Sequence, residues 1–147
     1  MKYITKSRQE TENLGREFAR GLSGGEKVCL YGNLGAGKTT FVSGIVKYFR
    51  PAVRVLSPTF IIVRHYHFQD MPVNNLLHAD LYRLENRQSI EAIGLGDFIN
   101  QPKTVLMIEW AEKLGMLLPA DRIDISFKIL KGNKREIKYE EVNSKSS

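Results

Sequence analysis

The sequence predicts a single α/β domain with a central, mostly parallel sheet, helices flanking it and antiparallel hairpin elements attached. Three observations lead there. Short apolar runs alternate with segments of helical period, a glycine-rich turn joins one such run directly to an amphipathic helix, and near the end apolar and polar residues alternate on both sides of a tight turn. The chain has 147 residues, within the range of one domain. At that length folding buries about 68–70% of the surface an unfolded chain exposes, enough for a core without disulfides or a structural metal. Residues 1–142 are expected to form the domain and 143–147 a small polar tail, with no internal repeat or linker.

Ser7-Arg8-Gln9-Glu10 has the form of a capping box, in which hydroxyl and carboxylate each satisfy a free backbone N–H, so a helix is expected from there. Leu14, Phe18 and Leu22 then recur as one apolar stripe, and Gly24-Gly25 supplies the stop. Lys27 to Tyr31 is apolar and bounded by glycines, which predicts a buried strand. From Lys38 onward, Phe41, Val42, Ile45, Val46 and Phe49 keep a helical period that must end before Pro51. Val53 to Leu56 reads as a strand broken by Ser57-Pro58, and Ile61 to Phe68 as its resumption before a turn over Gln69 to Asn75. Leu76 to Leu81 and Thr104 to Trp110 are two further strand-length runs, with a helix expected around Asn86 to Ile93. Ile123, Ile125, Phe127 and Ile129 alternate with polar residues, and Ile137 and Tyr139 repeat the pattern beyond Lys131-Gly132-Asn133-Lys134, which predicts a hairpin.

Composition narrows the function classes. Cys29 is the one cysteine and lies inside Val28-Cys29-Leu30, so it reads as a small buried hydrophobe in a reducing compartment. Residues 1–8 carry charge and lack a signal-like apolar stretch, and no run reaches the eighteen or so apolar residues of a membrane span, so a cytoplasmic protein without membrane contact is expected. Lysine and arginine number 22 against 16 acids, a formal charge of +6. The two signs are interspersed, as from Lys128 to Glu141, which describes a solvated mixed surface better than a groove for RNA. His65 and His67 lie two apart on one strand face with no cysteine or third ligand nearby, which argues against zinc. Together with His78 they read as surface or interface groups.

Gly32-Asn33-Leu34-Gly35-Ala36-Gly37-Lys38-Thr39 fits the P-loop pattern. Glycines let the backbone turn tightly and aim several N–H groups at phosphate oxygens, and the following helix adds the positive end of its dipole. Lys38 is expected to reach the β and γ phosphates and the Thr39 hydroxyl to ligate Mg2+. The motif follows an apolar strand and opens an amphipathic helix, the setting its mechanism requires, so the α/β class narrows to a single-domain P-loop NTPase fold.

Such a site also needs a carboxylate at the end of a neighbouring strand. Asp80 ends Leu76-Leu77-His78-Ala79 and Glu109 ends Val105-Leu106-Met107-Ile108. Glu109 is assigned to magnesium and Asp80 to magnesium or the attacking water, although either acid can take either role. Ser57-Pro58-Thr59-Phe60 follows the second strand, where a γ-phosphate-sensing segment often lies, and Thr59 is the preferred contact.

Gly32 to Thr40 (GNLGAGKTT), Ser57 to Phe60 (SPTF), His78 to Arg83 (HADLYR) and Ile108 to Trp110 (IEW), in this order in so short a chain, resemble the TsaE family, also called YjeE. The resemblance runs from the capping box to the terminal hairpin. It implies an ATP-binding, ATP-hydrolysing protein required for threonylcarbamoyladenosine in transfer RNA, working with TsaB and TsaD, with transfer RNA the substrate of the complex. It implies that Asn33, Leu34, Gly35, Ala36, Gly37, Lys38, Thr39 and Thr40 bind ATP, that Thr39 and Glu109 ligate Mg2+, and that Lys38, Asp80 and Glu109 serve hydrolysis. Residues near Arg8 and Gly132 would lie by the adenine. Asn33 departs from the aspartate common in the family, which removes a charge and leaves the backbone cradle intact.

Three alternatives share these features. A small-molecule kinase would recruit Arg83 and Arg87 to clamp an acceptor. A GTPase would need Asn133-Lys134-Arg135-Glu136 to read guanine from the tip of the hairpin, and an RNA-binding module would use the loop only as a fold element.

Overall fold

The structure is a computed structural model that describes residues 1–52, 63–69, 71–84, 94, 97 and 101–143. The expected strand at Val53 to Leu56, Thr59 with its segment, the helix around Asn86 to Ile93 and residues 144–147 lie outside the described residues. In chain order the elements are β1 (Lys2–Thr5), α1 (Arg8–Ala19), β2 (Lys27–Tyr31), α2 (Lys38–Phe49), β3 (Val63–His67), β4 (Asn75–Asp80), β5 (Thr104–Glu109), a 3₁₀ segment (Ala111–Leu117), β6 (Arg122–Ile129) and β7 (Arg135–Val142).

The strands form one sheet in the order β1-β7-β6-β2-β5-β4-β3. Its four inner strands run parallel, β6 beside β2, β2 beside β5 and β5 beside β4, while β3, β7 and β1 join antiparallel. The sheet is therefore mixed, with as many antiparallel pairings as parallel ones, and "mostly parallel" holds only for its centre. β2, β4 and β5 read as near-continuous apolar runs because both their faces are covered, whereas β6 alternates and leaves Ser126 and Lys128 exposed. On one face Val28, Leu30, Leu76, Val105, Met107 and Ile125 pack with Phe41, Val42, Ile45 and Val46 of α2. On the other, Cys29, Leu77, Ala79, Leu106 and Ile108 pack with Ala111 and Leu114 of the 3₁₀ segment. Cys29 is fully buried, and burial, with Asp124 nearby, pushes its thiol up to about 12, the signature of a packing residue and not a nucleophile.

β2 and α2 coincide with the expected spans. β1 is a four-residue edge strand too short for its own pattern to announce it, held by pairing with β7, a Lys2–Glu136 ion pair at 2.9 Å and the Tyr3 ring 5.0 Å from that of Tyr139. β5 stops one residue early because Trp110 turns into the left-handed region, at φ 58°. The capping box also differs from expectation. The Ser7 hydroxyl accepts from the Glu10 N–H at 3.1 Å, but the Glu10 carboxylate accepts from the N–H of Lys6, not of Ser7, also at 3.1 Å. α1 ends at Ala19, well before Gly24-Gly25, and Leu22 is buried beyond its end.

The deepest face of α1 is made of small residues, Thr11, Gly15 and Ala19, not of the Leu14–Phe18 stripe. The reason lies in α2. A Cβ at Gly15 would overlap the Phe41 carbonyl oxygen, and a Cβ at Gly44 would overlap the Glu12 carbonyl oxygen, so each helix presents a glycine to the other's backbone. This close approach fixes the middle of α1 on the middle of α2 and leaves Thr11 of α1 against Gly37 at the start of α2. Gly44→Ala is expected to cost about 1–3 kcal/mol in urea unfolding. Gly21→Ala, whose methyl meets only the Phe18 carbonyl oxygen at 3.7 Å, should stay within about 0.5 kcal/mol.

Candidate functional site

The loop from Gly32 to Gly37 connects β2 to α2 and stands at the carboxyl end of the parallel strands. Gly37 is the N-cap of α2 at φ 106°, and no side chain caps the helix. The first-turn N–H groups, which have no intrahelical partner, thus face the loop and are available to an anion. Gly32 has φ 146° and approaches β6 so closely that a Cβ would fall 2.7 Å from the Phe127 carbonyl oxygen.

Two cavities meet at this loop and share Gly35, Gly37 and Thr40. One, of about 370 Å3, is lined by Leu34, Lys38, Thr39, Asp80, Tyr82, Arg83, Glu109 and Trp110. The other, of about 330 Å3, is lined by Ser7, Arg8, Thr11, Asn133 and Arg135. Arg8 is therefore brought to the loop by the first turn of α1. Gly132 sits in the β6–β7 turn, and the lining is made by its neighbour Asn133 and by Arg135, whose guanidinium donates to the Gly35 carbonyl at 3.3 Å. Asn33 and Leu34 are exposed at the tip, while the Ala36 side chain is buried in the core, so Ala36 can offer only its backbone. Glu136, the acid a guanine-reading motif would need, is engaged by Lys2.

The charged centre follows from strand register. Asp80 and Glu109 end adjacent parallel strands and are Cα partners, so two carboxylates stand side by side. Glu109 is almost fully buried. It accepts from the Thr39 hydroxyl at 3.0 and 3.2 Å on its two oxygens, and Oε2 lies 2.5 Å from Nε2 of His78. Asp80 accepts from the N–H of Tyr82 at 2.9 Å. Lys38 is buried; its ammonium donates to the Gly32 carbonyl and stands 4.0 Å from the Trp110 ring centre.

Burial dominates the electrostatics. It lowers the Lys38 ammonium's pKa against the raising pull of Glu109, Glu112 and Asp80. It raises that of the Asp80 carboxyl, with Glu109 adding to the rise and the Tyr82 N–H, His78 and Lys38 opposing it.

His78 is a correction to the sequence reading. The sequence alone places it with the surface histidines, yet it is fully buried, while His65 and His67 are exposed and both contact Oδ1 of Asn75. Strand alternation carried the signal: His78 lies two residues before Asp80 and so shares its face. Trp110 and Tyr82 have no site role in the sequence analysis, and Asn133 and Arg135 have one only under the GTPase alternative; the left-handed turn at Trp110 and the placement of the hairpin beside α1 have no local pattern that would announce them.

Residues 5–137 match the model of a family described as threonylcarbamoyl adenosine biosynthesis protein TsaE. The chain belongs to the TsaE family. It is 38% identical over 139 residues to the TsaE protein of Aquifex aeolicus, covering 92% of each chain. Against that of Rickettsia prowazekii it is 35% identical over 134 residues, 90% of each. Against that of Bacillus subtilis it is 32% identical over 145 residues, 99% of this chain and 88% of the relative. Among solved structures, a crystal structure of Bacillus subtilis YdiB superposes with a TM-score of 0.79 at 29% identity, over 97% of this chain and 86% of that one. TsaE relatives are named for the biosynthesis of threonylcarbamoyladenosine in tRNA, and that is the process to which the family ties this chain. No helix among the described residues is long and apolar enough to cross a membrane.

The Asp80 shift gives a stability test. A carboxyl whose folded pKa is raised opposes folding when ionised, and that penalty fades as pH falls toward its unfolded value, about 3.9. Asp80→Asn, which keeps an acceptor for the Tyr82 N–H, should raise the Tm of the nucleotide-free protein at pH 7. The gain over wild type should shrink as the pH approaches 4.

Proposed function

We propose that this chain is a P-loop ATPase that binds Mg2+ and ATP and supports the making of threonylcarbamoyladenosine in tRNA together with TsaB and TsaD. The observation that carries the reading is the contact between the Thr39 hydroxyl and the Glu109 carboxylate beside an uncapped helix start. A hydroxyl and a buried carboxylate are hard oxygen donors, the type magnesium takes. Magnesium sites of this kind use few protein ligands and leave the rest to water and phosphate.

In this reading Thr39 and Glu109 would hold the cation, which when bound would supply neutralisation of the charge developing on the phosphate oxygens. The amides of Gly35 to Thr39 cradle the phosphates, and the Lys38 ammonium leaves the Gly32 carbonyl and the Trp110 face to pair with them. Nothing is left for the protein to do covalently; positioning and charge carry the reaction. Asp80, whose burial makes it a better proton acceptor than an exposed aspartate, orients the attacking water. Arg8, Thr11, Asn133 and Arg135 line the space for the nucleoside on the far side of the loop. Hydrolysis resets the larger assembly in the cytoplasm, tRNA is the substrate of that assembly, and the transfer chemistry belongs to TsaD.

Phosphate release from ATP, with and without TsaB and TsaD, tests this. Wild type should turn over only with Mg2+, and Asp80→Asn should lose about 10²-fold or more in kcat. Thr39→Ala and Glu109→Ala should lose their response to Mg2+. Normal hydrolysis by the two carboxylate variants would show the site to be misassigned, and phosphate transfer to a metabolite instead of water would make the protein a kinase.

A further inference from the structure

We infer that His78 is a positioning residue that fixes the Glu109 carboxylate for the divalent cation, an inference that rests on the function proposed above. His78 has no exposed surface and stands on β4, two residues before Asp80. Its Nε2 lies 2.5 Å from Oε2 of Glu109. Its Nδ1 is buried and has no hydrogen-bond partner among the described residues. A neutral imidazole carries one N–H, and an ionised carboxylate only accepts, so the hydrogen is required at Nε2.

The two carboxylate oxygens are not equivalent. Oε2 receives both His78 and the Thr39 hydroxyl at 3.0 Å, whereas Oε1 receives the Thr39 hydroxyl at 3.2 Å. If the Thr39 oxygen turned to a cation, Oε1 would lose its one partner among these contacts while Oε2 would keep the imidazole. The glutamate keeps its orientation at the moment its other partner leaves, and one oxygen stays free for the cation. A partner that orients a ligating carboxylate in this way is worth about 10–100-fold in metal affinity or activity. The bland alternative, a core histidine that merely fills space, predicts no link to the cation.

Two measurements separate these. In the nucleotide-free protein labelled with 15N-histidine, NMR should find a hydrogen on Nε2 of His78; a bare Nε2 with the hydrogen on Nδ1 overturns the inference and needs no variant to do so. Calorimetry of ATP binding, in chelator and then in Mg2+, should show His78→Phe binding like wild type without metal but requiring about 10–100-fold more Mg2+ for the metal-dependent gain. kcat should fall by a similar factor with little change in KM for ATP. His78→Gln, whose amide nitrogen reaches the position of Nε2, should recover most of both. Wild-type Mg2+ response in a folded His78→Phe variant sinks this inference alone. No ATP binding by wild type, with Mg2+ present, sinks the proposed function and this inference with it.

Discussion

The Gly32 to Gly37 loop carries the chain from the end of β2 into α2, and β5 runs parallel beside β2; this arrangement brings Thr39 against Glu109. Both faces of β2, β4 and β5 are filled with mostly apolar side chains, so a charged group on those strands is tolerated where the core stops or where, like Glu109 beside His78, it has a polar partner. At the carboxyl end the core stops on Asp80 and Glu109, and the glycine loop closes over them. Had β5 joined elsewhere in the sheet, the same residues would be scattered acids on a surface.

The packing behind the site keeps this geometry in place. Gly15 and Gly44 let α1 lie against α2 at a distance no larger residue allows, so the turn carrying Ser7, Arg8 and Thr11 is held beside the loop. On the opposite side, the Lys113 ammonium donates to the carbonyls of Tyr82 and Leu84 and holds the segment that follows Asp80. The loop thus has one cavity on each side, and both are walled by elements packed for other reasons.

That arrangement carries an electrostatic cost. A lysine and two acids share a poorly hydrated corner, and burial works against the charge of both Lys38 and Asp80. Groups held against their solution preference are characteristic of sites and not of structural surfaces, where charges are left in water. The Gly32 carbonyl and the Trp110 face, both in contact with the Lys38 ammonium, offset part of that cost.

Local pattern and tertiary context divide the rest between them. Residues 27–49 determined themselves: β2, the loop and α2 follow from apolar period, glycine geometry and the proline beyond, all of which act within a few residues. The sequence also carried the acids at the ends of β4 and β5, since a carboxylate closing an apolar run is a local signal. Only tertiary structure decided that those strands are neighbours in register, that residues 2–5 form an edge strand, that His78 is buried against Glu109, and that Asn133 and Arg135 reach the loop. Each of these is a contact between residues distant along the chain. Such contacts depend on strand order, and strand order is fixed by the closing of the whole core, not by any period or motif a short stretch can hold.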